Sequence, residues 1–175
     1  MDAATVPFWM GVCRGETHTA AIARAIAAVT RCGDILALIG ELGAGKTCFV
    51  RALAEGMGID PRHISSPTFV LMHEYAGVGD RPALVHIDAY RLADGMDAES
   101  IGWEYGGGQW ARDAVVVIEW ADRLEPQIAS DYLHIRFDHV AHDARRITMT
   151  GHGQWTGRIA RLNRLLKKMG PVTIP

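Results

Sequence analysis

The chain has 175 residues, 49% of them apolar and 22% charged, with a formal net charge of -2. That length suits one domain with a buried core, the apolar share excludes a disordered chain, and the near-neutral balance excludes nucleic-acid binding over the whole surface. Cys13, Cys32 and Cys48 are odd in number and lack C-x-x-C spacing, which excludes a disulfide framework or a zinc pair, and no apolar run is long enough to cross a bilayer. The N-terminus shows no basic, apolar and small-residue succession, so a reducing cytoplasm is expected.

Phe8 to Val12 reads as a short strand, and Glu16-Thr17-His18-Thr19 offers capping side chains to a helix from Ala20 to Val29, ended by Gly33. Ile35 to Ile39 is nearly all apolar, the pattern of a strand buried on both faces. Gly40-Glu41-Leu42-Gly43-Ala44-Gly45-Lys46-Thr47 follows at once, a complete G-x-x-x-x-G-K-[ST] loop, and Phe49, Val50, Leu53 and Met57 form the inner stripe of the next helix, with Gly56 and Gly58 as its stop. Ile64 to Leu71 begins as a loop at Ser66-Pro67-Thr68 and becomes extended.

Ala83 to Asp88 and Val115 to Trp120 are two apolar strands, each carrying an acid at its end. Between them a short helix is expected over Asp97 to Tyr105 and a glycine loop at Gly106 to Gly108. Leu133, Ile135 and Phe137, then Ile147 and Met149, alternate with polar residues as a hairpin with one buried face. The last element is a basic amphipathic helix at about 157–169, with Ile159, Leu162, Leu165, Leu166 and Met169 at helical spacing among five cations.

The glycine-rich loop between a strand and a helix points to triphosphate binding. Backbone amides from Glu41 to Cys48 converge on phosphate oxygens at a helix start, Lys46 reaches the outer phosphates, and the Thr47 hydroxyl ligates magnesium. The metal also needs an acid at the end of a neighbouring apolar strand. Val115 to Glu119 is the purer pattern, which assigns Glu119 to the metal, directly or through water, and Asp88 to the attacking water or to the ion's outer shell. Ser66 and Thr68 occupy the loop where nucleotide switches place a phosphate-sensing hydroxyl. Tyr90 and Arg91 either brace Asp88 or face a partner; Trp120 reads as a packing residue beside the metal ligand.

Together the words Gly40-Glu-Leu-Gly-Ala-Gly-Lys-Thr47, Ser66-Pro-Thr-Phe69, His86-Ile-Asp-Ala-Tyr-Arg-Leu92, Ile101-Gly102 and Ile118-Glu-Trp120 resemble the TsaE (YjeE) family in order and spacing, from about residue 16 to about 150. The departures are Cys48 where threonine is common, the glycine run at 106–108, and Ala121 where proline often follows Glu-Trp. The resemblance implies an ATPase that binds ATP and Mg2+ and supports threonylcarbamoyladenosine synthesis on tRNA with TsaD-like and TsaB-like partners. It also implies that Lys46, Thr47 and Glu119 serve nucleotide and magnesium, that Asp88 belongs to the hydrolysis site, that Thr68 lies in a switch-like loop, and that Glu16 helps enclose the nucleotide. The expected fold is α/β: a P-loop NTPase-like three-layer α/β/α arrangement with a central mixed sheet and a C-terminal antiparallel hairpin. Two alternatives compete with an ATPase. One is a small P-loop kinase, against which stands the lack of a long arginine-bearing lid. The other is a non-catalytic nucleic-acid binder using Arg158, Arg161, Arg164, Lys167 and Lys168.

Overall fold

The computed structural model describes residues 7–94, 103, 110–124, 128 and 130–168. The helix expected over Asp97 to Tyr105, the glycine loop at 106–108 and the Ile101-Gly102 pair therefore lie outside the described residues, Trp103 excepted. Among the described residues, no helix is long and apolar enough to cross a membrane.

One seven-stranded mixed sheet organises the chain, in the order β1-β7-β6-β2-β5-β4-β3. These strands are β1 (Trp9–Arg14), β2 (Ile35–Gly40), β3 (Met72–Tyr75), β4 (Ala83–Asp88), β5 (Ala114–Glu119), β6 (Tyr132–Ala141) and β7 (Ala144–Gly151). The middle four, β6-β2-β5-β4, run parallel, while β1, β7 and β3 join antiparallel at the edges. β5 is buried at every position, as a central strand covered on both faces must be.

Alternation along the strands divides the core in two. Leu36, Leu38, Leu84, Val115 and Val117 point to the face covered by α1 (Gly15–Ala27), α2 (Lys46–Gly56) and α3 (Ile159–Lys167). Ile35, Ala37, Val85, Ile87, Val116 and Ile118 point to the other face, against Leu92, Trp103, Ala111 and Leu124. The cover on that side includes short 3-10 helices at Ala89–Asp94, Trp110–Arg112 and Ala121–Arg123.

Local details depart from the sequence pattern in three places. β1 runs straight into α1 at Gly15, so Glu16 and Thr19 lie inside the helix rather than ahead of it, and Glu16 sits in the first turn, where a carboxylate complements the helix dipole. α1 also ends at Ala27, where the Thr30 hydroxyl donates to the Ala27 carbonyl, several residues before Gly33. Of the two glycines expected to stop α2, Gly58 does so at φ +85°, whereas Gly56 is still helical and faces α1. Finally, the stretch after Pro67 is a turn, not an extended run. The Val70 N–H donates to the Pro67 carbonyl, Leu71 takes a φ of 69°, and strand pairing begins at Met72.

The hairpin β6–β7 buries Leu133, Ile135, Phe137, Ile147 and Met149, as its alternation requires. α3 buries Leu162 and Leu166 and leaves Arg161, Arg164, Lys167 and Lys168 in solvent.

Candidate active site

Parallel strands present their carboxyl ends on one edge of a sheet, and the chain leaves β2 on that edge through the glycine loop. In register, Asp88 closes β4 directly beside Glu119 at the end of β5. Both acids share the sheet face that α2 covers, because Leu84, His86 and Asp88 lie two residues apart, as do Val115, Val117 and Glu119. Two acids more than thirty residues apart in sequence thus meet under the first turn of α2.

Gly43 and Gly45 take φ values of 75° and 100°, and a β-carbon on either would meet nothing within 4 Å. Their requirement is therefore backbone conformation, not crowding. Gly45 stands at the N-cap of α2 without a side-chain cap, and no acid occupies the first turn, so the amides there remain available to an anion. Lys46 is folded back on the loop. Its Nζ donates to the carbonyls of Gly40 at 2.6 Å and Glu41 at 2.9 Å and lies 3.8 Å from the centre of the Trp120 ring. Burial pushes the Lys46 pKa down, and the Glu119, Asp88 and Asp122 carboxylates oppose that shift. A polyanion beside the ammonium favours its charged form.

The Thr47 hydroxyl donates to Glu119 Oε2 at 3.1 Å. Two oxygens on adjacent corners of a magnesium octahedron, with bonds of about 2.0–2.1 Å, are about 2.9 Å apart, so this hard-oxygen pair fits the ion. Asp88 is held differently. Its Oδ2 accepts from the hydroxyls of Ser66 at 2.9 Å and Thr68 at 2.6 Å, and its Oδ1 accepts from the Tyr90 amide at 3.0 Å. These groups line one cavity of about 490 Å³, bounded by Leu42 to Cys48, Ser66, Thr68, Asp88, Tyr90, Glu119 and Trp120. That volume is within the range of about 300–1,000 Å³ common to small-molecule sites.

Most of the sequence candidates meet in this cavity, and two stand apart from it. Glu41 is exposed and contributes its carbonyl to Lys46 rather than lining the hollow. Glu16 lines a second hollow of about 280 Å³ on the other side of the loop, with Thr19, Cys48, His142, Asp143 and Arg145. Gly43, Ala44, Gly45 and Cys48 border both, so the loop is a shared wall. Burial raises the Cys48 pKa, helped by the Glu16 carboxylate and opposed by Arg51.

Sequence reasoning missed the residues of the β6–β7 turn, since nothing local to Arg145 signals that its Nη2 donates to the Gly43 carbonyl, 102 positions away. It also passed over His86, whose signal was present: one polar residue inside the apolar run Leu84-Val85-His86-Ile87. Arg91 donates to the Phe69 carbonyl at 3.3 Å and is not among the described residues that line the cavity.

A family model described as "Threonylcarbamoyl adenosine biosynthesis protein TsaE" matches residues 13–147. The "tRNA threonylcarbamoyladenosine biosynthesis protein TsaE" of Bacillus subtilis is 43% identical over 137 residues, 78% of this chain and 81% of that protein. The protein of the same name from Streptomyces coelicolor is 38% identical over 138 residues, 76% and 90% of the two chains. Among solved structures, that of Bacillus subtilis YdiB superposes with a TM-score of 0.69 at 31% identity, covering 92% of this chain and 95% of that one.

Proposed function

The chain belongs to the TsaE family of threonylcarbamoyladenosine biosynthesis, and from that membership we propose that it binds and hydrolyses ATP with magnesium in the cytoplasm, to reset a TsaD-like and TsaB-like complex between rounds of tRNA modification. The observation that carries the proposal is the Thr47–Glu119 oxygen pair lying in one cavity with Lys46 and Asp88. Amides from Leu42 to Cys48 receive the phosphates, and Lys46 leaves the Gly40 and Glu41 carbonyls to neutralise the outermost one. Thr47 Oγ1 and Glu119 Oε2 would hold a magnesium ion, which would supply charge stabilisation on the phosphate oxygens.

Asp88 orients the attacking water. Three donors fix its carboxylate, two of them hydroxyls of the Ser66–Thr68 loop, so a change in that loop alters the acid's aim. Glu16 and Arg145 enclose the nucleoside end from the second hollow. Arg91 does not line the cavity and donates instead to the Phe69 carbonyl, so we assign the transition-state cation to the partner complex, making hydrolysis slow without it.

Steady-state phosphate release is to be measured with and without the two partners and tRNA. Faster release with them is expected, together with a loss of at least about 100-fold in Lys46→Ala and Glu119→Ala. Equal turnover in both conditions would count against the resetting role. Label recovered on an acceptor rather than as free phosphate would turn the reading towards a kinase.

A further inference from the structure

We propose that His86 is a positioning residue for the magnesium site: its Nε2–H holds one oxygen of Glu119, so that the other is presented beside the Thr47 hydroxyl. The inference rests on the magnesium-dependent reading above and adds a residue to it. His86 is 0% exposed, and its Nε2 lies 2.9 Å from Glu119 Oε1, while Glu119 Oε2 accepts from Thr47. The two carboxylate oxygens are thereby divided between two tasks.

The ring's tautomer follows from its surroundings. Nδ1 is buried and has no hydrogen-bond partner among the described residues. A proton there would be a buried donor with nothing to accept it, whereas a proton on Nε2 meets a carboxylate at hydrogen-bond distance. These contacts support a proton on Nε2, which makes the ring a fixed donor to Glu119 Oε1.

Apolar packing alone does not call for this residue. In register His86 opposes Val117, one pleat before Asp88 and Glu119, on a face otherwise lined by Leu84, Val115 and Val117. A branched aliphatic side chain would fill that position, but it would leave Oε1 of the buried Glu119 without this donor. What histidine adds is control of a glutamate side chain that otherwise samples several rotamers. With Oε1 tied to His86, Oε2 is the oxygen of Glu119 that would be left to hold a cation beside Thr47. Partners that orient metal ligands in this way typically contribute 10- to 100-fold in metal affinity.

The test measures metal binding apart from turnover. Mn2+ is titrated into the ADP-loaded protein and free Mn2+ is followed by electron paramagnetic resonance, while ADP affinity is measured separately in EDTA. His86→Leu is expected to weaken Mn2+ binding by about 10- to 100-fold and to leave ADP affinity in EDTA unchanged within about a factor of two to three. His86→Gln, whose amide N–H reaches as far as Nε2, is expected to recover most of the loss; His86→Asn, too short to reach, is not. Should His86→Leu not fold, the Gln and Asn pair carries the comparison.

Equal Mn2+ affinity in His86→Gln and His86→Asn, or an equal loss of ADP affinity in EDTA, would overturn the positioning role while leaving the magnesium site standing. A wild-type protein whose ADP complex takes up no Mn2+ would overturn both. In a Glu119→Gln background, removing His86 should cost nothing further in metal affinity; a full additional loss there would also overturn the role.

Discussion

At the scale of single residues, the three thiols report on three environments. Cys32 is exposed, Cys48 is half-buried against Glu16 and the loop, and Cys13 is wholly buried in β1, where burial pushes its pKa up to about 11. A thiol reagent at pH 8 should therefore modify Cys32 first, Cys48 slowly and Cys13 only on unfolding, and saturating ATP should slow Cys48 further because that residue borders both hollows. Unchanged Cys48 kinetics with ATP would argue against phosphate binding at this loop. Cys13 also sets a pH dependence. Between its unfolded value of 9.0 and its folded value of about 11, the unfolded thiol is ionised and the folded one is not. The unfolded state then binds fewer protons, so stability falls as pH rises, by about 1.5 kcal/mol between pH 9 and 10.5. Across that range the urea midpoint of wild type should fall relative to that of Cys13→Val as pH rises; parallel curves would show that the thiol is not buried as described.

At the scale of elements, β2, α2, β4, β5 and the β6–β7 hairpin were legible because each carries its own period and its own stop. The turn after Pro67 was not, because what bends it is a tertiary contact: Ser66 and Thr68 are drawn to Asp88, on a strand twenty residues further along. Gly56 shows the same limit. Its composition signals a helix end, but its place is set by the neighbour, since a β-carbon there would lie 2.7 Å from Ala27 Cβ and 3.2 Å from Arg24 Cα. The two helices meet backbone to backbone at this point, tied on the solvent side by the Arg24–Glu55 ion pair. Gly56→Ala gains at most about 1 kcal/mol in helix propensity and costs about 1–3 kcal/mol in overpacking. A lower urea midpoint is expected, partly restored by adding Ala27→Gly. A Gly56→Ala protein more stable than wild type would show that α1 and α2 do not pack this closely.

At the scale of the whole molecule, pairings between distant segments were beyond the reach of the sequence. β1 pairs with β7, at least 130 residues away, and the second hollow needs α1, the loop and the β6–β7 turn together. The sheet also separates chemistry from anchorage. The acids and the glycine loop stand at the carboxyl edge, whereas Asp34, just before β2, stands at the opposite edge, about 20 Å away at the rise of a six-residue strand. There Arg158 grips Asp34 through two bonds of 2.6 Å, donates to the Val29 carbonyl and lies 4.0 Å from the Trp155 ring centre. The ion pair is nearly dry, its side chains 14% and 8% exposed, and with Leu162 and Leu166 it fastens the segment beyond residue 147, where the family match ends. Removing the charge from one partner leaves a buried guanidinium half satisfied. Asp34→Asn should thus cost about 3 kcal/mol, read as a lower urea midpoint. Nucleotide affinity of the folded variant should stay at the wild-type value, because the binding edge lies on the far side of the sheet. A midpoint equal to wild type would show that the pair does not hold the C-terminal segment; a fall in nucleotide affinity matching the loss of stability would show that anchorage and chemistry are not separate.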